Sequence, residues 1–156
     1  MSLDVGTPAP AFRLEADDGA HYDLAELRGK QVVLFFYPKA STPGCTTESI
    51  DFTERQEAFQ AANTVVLGCS RDSIQAQCRF RDKYDLGVPL LSDPDHETHE
   101  AYGAWGMKKM YGRESIGCIR TTVLIDKRGQ VAEVWSKVRV RDHAQKVLEA
   151  AEALNA

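Results

Sequence analysis

The chain has 156 residues, 43% of them hydrophobic and 27% charged, with a formal net charge of −4. That length and balance describe a chain able to bury one core, and they exclude the collagen-like, low-complexity and disordered classes. The acidic excess argues against a nucleic-acid backbone or an anionic lipid surface as partner. The longest uninterrupted apolar run, residues 32–37, is far too short to cross a bilayer. One domain spanning residues 1–156 is expected. The opening MSLDVGTPAP carries an acid and two prolines where a secretory leader needs basic residues before an apolar stretch, so the expected location is the cytoplasm. In that reducing compartment Cys45, Cys69, Cys78 and Cys118 begin as thiols, too few for a disulfide framework. None is paired as C-x-x-C, so no structural zinc site or other bound metal is expected.

The stretch through Leu27, with GTPAPAF and HYDLAEL, predicts a small hairpin at the edge of the fold. Residues 32–37 (VVLFFY) read as a buried strand ending at Pro38, because they are β-branched and aromatic and stop at a residue without an N–H. Residues 46–62 follow as a helix, with Ile50, Phe52, Phe59 and Ala62 on its apolar side. VVLGCS, residues 65–70, is a second buried strand, and the next helix, through SIQAQCRFRDKY, has Ser70 or Asp72 as candidate N-caps. A short strand at 89–92 and a helix over 94–105 come next, then a glycine-punctuated loop, GMKKMYGRESIG. Residues 120–126 and 130–138 read as two strands joined through DKRG, and the last helix carries Ala144, Val147, Leu148, Ala151 and Leu154 on one stripe. Alternating strands and helices, then a hairpin and a closing helix, define an α/β fold with a mixed central sheet flanked by helices.

FFYPKASTPGCTTE places Cys45 where a strand has ended and a helix begins. A cysteine reacts as its thiolate, and the unpaired N–H groups and positive dipole end of a helix's first turn favour that anion. Pro43 and Gly44 suit a tight turn presenting those amides, and Thr42 contributes a hydroxyl three residues upstream. The spacing of Pro38, Thr42 and Cys45, P-x-x-x-T-x-x-C, resembles the active-site signature of peroxiredoxins, in the version found in the peroxiredoxin Q or bacterioferritin comigratory protein group. Resemblance continues through VLGCSRDS, PLLSDPDHE, YGAWG and IRTTVLIDKRGQV, over essentially the whole chain.

That resemblance implies a thioredoxin-like fold and a thiol-dependent peroxidase for hydrogen peroxide and organic hydroperoxides, cycling through a Cys45 sulfenic acid. It assigns substrate binding to Thr42 and to amides near Gly44, charge stabilisation to Arg120, and shielding of the sulfur to Pro38. The same resemblance implies thioredoxin or another thiol as reductant, a monomer, and no organic cofactor. Resolution of the sulfenic acid stays open between Cys78 and an external thiol. In relatives a resolving cysteine stands five residues past the peroxidatic one, where this chain has Ile50, or on the helix after the second strand, nearer Arg81. Cys78 lies one turn from Arg81 on the same face, Cys118 is a fallback near Arg120, and Cys69 reads as an inert strand thiol. A redox sensor or chaperone-like module, reacting once without turnover, is the alternative. A disulfide oxidoreductase is disfavoured because CTTE puts Glu48 where the second cysteine of C-x-x-C belongs. HETHE, residues 96–100, lacks the final histidine of a zinc-protease motif and reads as a solvated face, Lys108 and Lys109 as a solvated loop tip, and Tyr102 and Trp105 as core packing.

Overall fold

The computed structural model describes residues 3–110 and 112–156. A small antiparallel pair, β1 (Arg13–Glu15) and β2 (His21–Asp23), forms the expected amino-terminal hairpin. The central sheet is built on β3 (Gln31–Phe36), every residue of which is buried. On one side β4 (Thr64–Ser70) pairs with it in parallel, and β5 (Leu90–Ser92) pairs in parallel with β4. On the other, β8 (Thr121–Ile125) is antiparallel to β3 and β9 (Val131–Ser136) antiparallel to β8. The order β5-β4-β3-β8-β9 is the mixed sheet read from the alternation of elements. DKRG makes the β8–β9 turn, with Asp126 Oδ1 accepting the N–H groups of Arg128 and Gln130 and Gly129 at φ +83°.

Alternate residues of β3 divide the core. Val33 and Phe35, with Tyr37 just beyond, face one layer together with Phe52, Phe59 and Phe80 and the stripe Ala144, Val147, Leu148, Ala151 of the last helix. Val32, Leu34 and Phe36 face the other, with Phe12, Tyr102, Cys69 and Cys118. Phe35 stacks on Phe52 with centroids 4.5 Å apart, and Gly68 on the neighbouring strand leaves the space, since a Cβ there would stand 2.8 Å from the Phe35 ring.

The helices depart from the sequence reading in four places. The helix expected over 46–62 begins earlier and breaks: α1 is Pro43–Glu54 and α2 is Gln56–Ala61. Proline at the first helical position is pre-set for helix, and Arg55, at φ −101° and ψ 7°, leaves helical geometry between them. α3 (Ile74–Tyr84) is capped by Ser73, whose hydroxyl accepts the Ala76 N–H, and not by Ser70 or Asp72, which bond each other. The helix expected over 94–105 contracts to α4 (Glu97–Ala101), and Trp105 is drawn into a strand. The glycine-punctuated loop is a hairpin, β6 (Trp105–Met110) against β7 (Arg113–Cys118), closed by a tip that includes Gly112 at φ +76°; Tyr111 lies outside the described residues, as do Met1 and Ser2 of the opening segment. α5 (His143–Asn155) buries the predicted stripe except Leu154, which is 40% exposed. No helix among the described residues is long and apolar enough to cross a membrane.

Candidate active site

β3 delivers the chain to Tyr37, Pro38 turns it out of the sheet, and the loop 38–42 leads directly into α1. This loop is pinned from two sides. Asp72 Oδ2 accepts the Ala40 N–H at 2.8 Å, tying it to the segment before α3, and Thr42 Oγ1 donates to the Lys39 carbonyl at 2.6 Å. Ser41 is held at φ +64°, a left-handed conformation that disfavours a side chain. Thr42 is the N-cap residue, but its hydroxyl makes no cap bond. Because that hydroxyl already donates to Lys39, its lone pairs remain able to accept.

Cys45 is in the first turn of α1 and 1% exposed. The Thr46 N–H bonds the Thr42 carbonyl, so the amides of Gly44 and Cys45 precede the first intrahelical bond of α1. Arg120, between β7 and β8, reaches across the helix start: Nη2 is 3.3 Å from Cys45 Sγ and Nη1 donates to Glu48 Oε1 at 2.6 Å. The backbone of this arginine is fixed by the Val138 N–H on its carbonyl, and its neighbour Ile119 donates to the Ala104 carbonyl. Gly44 gives the guanidinium room, since a Cβ there would stand 3.2 Å from Nη2. The Arg120 guanidinium therefore bridges the Cys45 sulfur and the Glu48 carboxyl.

Glu48 is the residue that sequence reasoning missed. It counted only as the absent second cysteine, yet its side chain is 1% exposed and paired with Arg120. Burial pushes its carboxyl up to about 7 against the charge and hydrogen bond of Arg120. Its position, three residues past Cys45 and on the same helical face, was the available signal. Its Oε2 is buried without a hydrogen-bond partner among the described residues.

A cavity of about 920 Å³ opens beside the site. Pro38, Met107, Cys118, Ile119, Arg120 and Val138 line it, with Lys108, Lys109, Lys137 and Arg139 adding positive charge. Arg120 thus meets Cys45 and Gly44 at the start of α1, next to the N-cap Thr42, and shares the cavity wall with Pro38. The remaining cysteines do not join them equally. Burial pushes the Cys118 thiol up to about 12 and Cys69 well above its ordinary range, so both are protonated at neutral pH. Cys78 is half-buried on α3 and turned toward the amino-terminal hairpin, where Sγ donates to the Asp17 carbonyl at 3.4 Å. Arg81, one turn on, reaches that same carbonyl at 2.8 Å, so the two do share a face.

The reading of HETHE as a solvated face holds only in part. His96 stacks on Trp105 with centroids 4.2 Å apart, but His99 is 0% exposed, with Nδ1 2.7 Å from Asp93 Oδ2. Burial works to raise Asp93, and the hydrogen bonds of His99 outweigh it and hold the carboxyl below its usual range. Cys69, Asp93 and His99 have ligand-type atoms within 4.8 Å of one another, but the acid and imidazole already pair and the thiol is neutral. Tyr102 is core, its hydroxyl donating to the Pro10 carbonyl. Lys108 and Lys109 stand on β6, not on a loop.

A thioredoxin-like sheet with a thiol at the start of a helix, an arginine on its sulfur and a P-x-x-x-T-x-x-C loop defines a peroxiredoxin fold and site. The superposition agrees: the bacterioferritin comigratory protein of Xanthomonas campestris, described for alkyl peroxide reduction, matches with a TM-score of 0.91 at 37% identity, over 98% of this chain and 100% of that one. The chain belongs to the AhpC/TSA family, whose sequence model matches residues 5–134. Among curated proteins it is similar to peroxiredoxin Bcp of Bacillus subtilis (strain 168), 41% identical over 149 residues, 96% of this chain and 95% of the relative. The putative peroxiredoxin bcp of Coxiella burnetii is 44% identical over 148 residues, 95% of this chain and 98% of the relative. Two of the X. campestris peroxiredoxin Q structures carry serine at one cysteine each, at a spacing that, counted from Cys45, falls on Arg81.

Proposed function

We propose that this chain is a peroxidase in which Cys45 is the peroxidatic nucleophile for hydrogen peroxide and organic hydroperoxides. The observation that carries the reading is the Arg120 bridge from Cys45 Sγ to buried Glu48. The Cys45 thiolate attacks the terminal peroxide oxygen, the S–O bond forms as the O–O bond breaks, and the departing water or alcohol oxygen takes a proton. Thr42 Oγ1 accepts the hydrogen bond of the peroxide O–H, while Arg120 and the amides of Gly44 and Cys45 bind charge as it spreads along S–O–O. Pro38 covers the sulfur. The apolar part of the adjoining cavity has room for an alkyl group.

Cys78 resolves the resulting sulfenic acid through a Cys45–Cys78 disulfide, and thioredoxin reduces it. Support comes from the placement of Cys78 on α3, half-buried and one turn from the position that matches the second substituted cysteine of the X. campestris protein. The enzyme acts as a cytoplasmic monomer of one domain, and sulfur carries the redox change without a cofactor. The test is intact mass and peptide mapping after one equivalent of hydrogen peroxide, without reductant. Loss of two hydrogens with a Cys45–Cys78 crosslink is expected. One added oxygen on Cys45 with Cys78 free means resolution by an outside thiol, and an unmodified Cys45 removes the proposal altogether. Sustained peroxide consumption with thioredoxin and its reductase separates the enzyme from a protein that reacts once.

A further inference from the structure

Asp17 sits in the turn between β1 and β2, 6% exposed, and almost every polar atom it has is engaged. Its N–H donates to the Leu90 carbonyl at 3.0 Å and its Oδ1 accepts the Leu90 N–H at 2.7 Å, fastening the turn to edge strand β5. Its carbonyl receives Cys78 Sγ and Arg81 Nη1, and its Oδ2 receives Arg81 Nη1 again at 3.2 Å. Two side chains of α3, three residues apart, therefore converge on one main-chain oxygen of the amino-terminal hairpin. The adjoining face of the same helix is held separately: Gln77, one turn before Arg81, accepts from the Tyr37 hydroxyl and donates to Ser70 Oγ and the Leu91 carbonyl.

We infer that Asp17 and Arg81 are positioning residues for the resolving step, a latch that holds Cys78 against the hairpin and sets how fast it reaches oxidised Cys45. The inference rests on the reading of Cys78 as the resolving cysteine. A disulfide needs the two α-carbons within about 7 Å. Cys78 lies inside α3 with its sulfur directed to Asp17, so the helix must open locally before the sulfurs meet. Opening breaks the Arg81–Asp17 contacts, whose arginine side chain is 33% exposed and whose carboxylate is 1% exposed. When Cys78 arrives, the S–S bond forms as the S–O bond of the sulfenic acid breaks, and the thiol proton leaves with the hydroxyl as water. Until then a second peroxide can add another oxygen, converting the sulfenic to the sulfinic acid and releasing water or an alcohol. The latch thus fixes the division between recycling and over-oxidation of Cys45.

The test compares wild type with Arg81→Met and Arg81→Lys. Reduced protein is mixed with one equivalent of hydrogen peroxide, quenched in acid with a thiol block, and analysed by mass for sulfenic acid and disulfide. Sulfinic acid is measured separately at high peroxide. Arg81→Met is expected to form the Cys45–Cys78 disulfide about fivefold faster and to yield less sulfinic acid, because opening no longer breaks a charge-assisted pair. Arg81→Lys, which keeps a donor and a charge, is expected to return toward wild type, and the first oxidation of Cys45 is expected to keep its rate in both. Asp17→Asn, which retains the Leu90 acceptor, should also speed resolution. Disulfide formation in Arg81→Met at the wild-type rate or slower overturns the inference. Absence of a Cys45–Cys78 bond in wild type overturns the assignment of Cys78 itself, and is visible before any variant is made.

Discussion

Replacing Arg120 with methionine isolates its pairing with Glu48, provided it is done in a Cys45→Ser background so that the contact of the guanidinium with sulfur is absent from both proteins. Glu48 has a carboxyl that titrates near 7 in the folded chain against 4.5 when free. Between those values the folded protein holds a proton that the unfolded chain has lost, so stability falls as pH rises, by roughly 3 kcal/mol in all, and levels off above 7. Without Arg120 the attraction that limits this rise is gone, and the carboxyl moves higher. At pH 6 Glu48 is protonated in either protein and this source adds no difference. At pH 8 the parent has reached its plateau while the variant is still losing about 1 kcal/mol per pH unit, so Arg120→Met should cost about 1 kcal/mol more at pH 8 than at pH 6, and about 3 kcal/mol more at pH 9. The carboxyl can accept a proton instead of standing as a bare buried charge, which keeps the penalty at pH 8 below the 3–5 kcal/mol of an irreversibly broken buried pair. Urea unfolding of both proteins at the three pH values measures it. An equal loss at pH 6 and 8, or a larger one at pH 6, would refute the ionised Glu48–Arg120 pairing.

Three further outcomes follow from the site. Thr42→Val should lower kcat/KM for hydrogen peroxide by about 10–100-fold, the effect of losing one hydrogen bond to a developing charge, while Thr42→Ser retains most of the rate; equal rates for the two variants in a stopped-flow assay would remove the hydroxyl from the mechanism. Gly44→Ala puts a methyl 3.2 Å from Arg120 Nη2 in a helical position, so the peroxidatic rate should drop about tenfold while stability changes by less than about 1 kcal/mol; a rate equal to wild type would show that the arginine has slack. His143 is buried with Nε2 2.8 Å from Thr122 Oγ1, and burial, with the Arg120 charge, lowers it to about 4 from 6.5. Its contribution is present above pH 6.5 and lost as pH falls toward 4, so His143→Asn should flatten roughly 3 kcal/mol of acid destabilisation across that window, as read by thermal melts.

Elements whose identity is local were legible in the sequence. VVLFFY and VVLGCS are strands because their residues fit a sheet buried on both faces, and DKRG turns because Asp126 and Gly129 satisfy it within a few residues. What failed to show depends on contacts distant in sequence. The β6–β7 hairpin has glycines and lysines that read as loop, and its pairing of Trp105 with Cys118 is set across thirteen positions. Arg55 looks helical, but its main chain closes α1 and its side chain bonds Gln145 of α5. His99 is polar by composition and core by its partner Asp93. In the site, Pro38, Thr42, Gly44 and Cys45 are contiguous and carry a spacing, whereas Glu48 acquires its role from an arginine 72 residues away.

Glu48 also marks a fork between two ways of using sulfur. A cysteine at that position would complete C-x-x-C with Cys45, the pair that disulfide-exchanging proteins place at a helix start. The same change would take away the carboxylate on which Arg120 rests, leaving the guanidinium free to swing from the sulfur it serves. A second thiol as immediate partner of Cys45 and a carboxyl that braces Arg120 are rival tenants of one buried position. One position in the first turns of one helix cannot hold both, and in this sequence it holds the carboxyl.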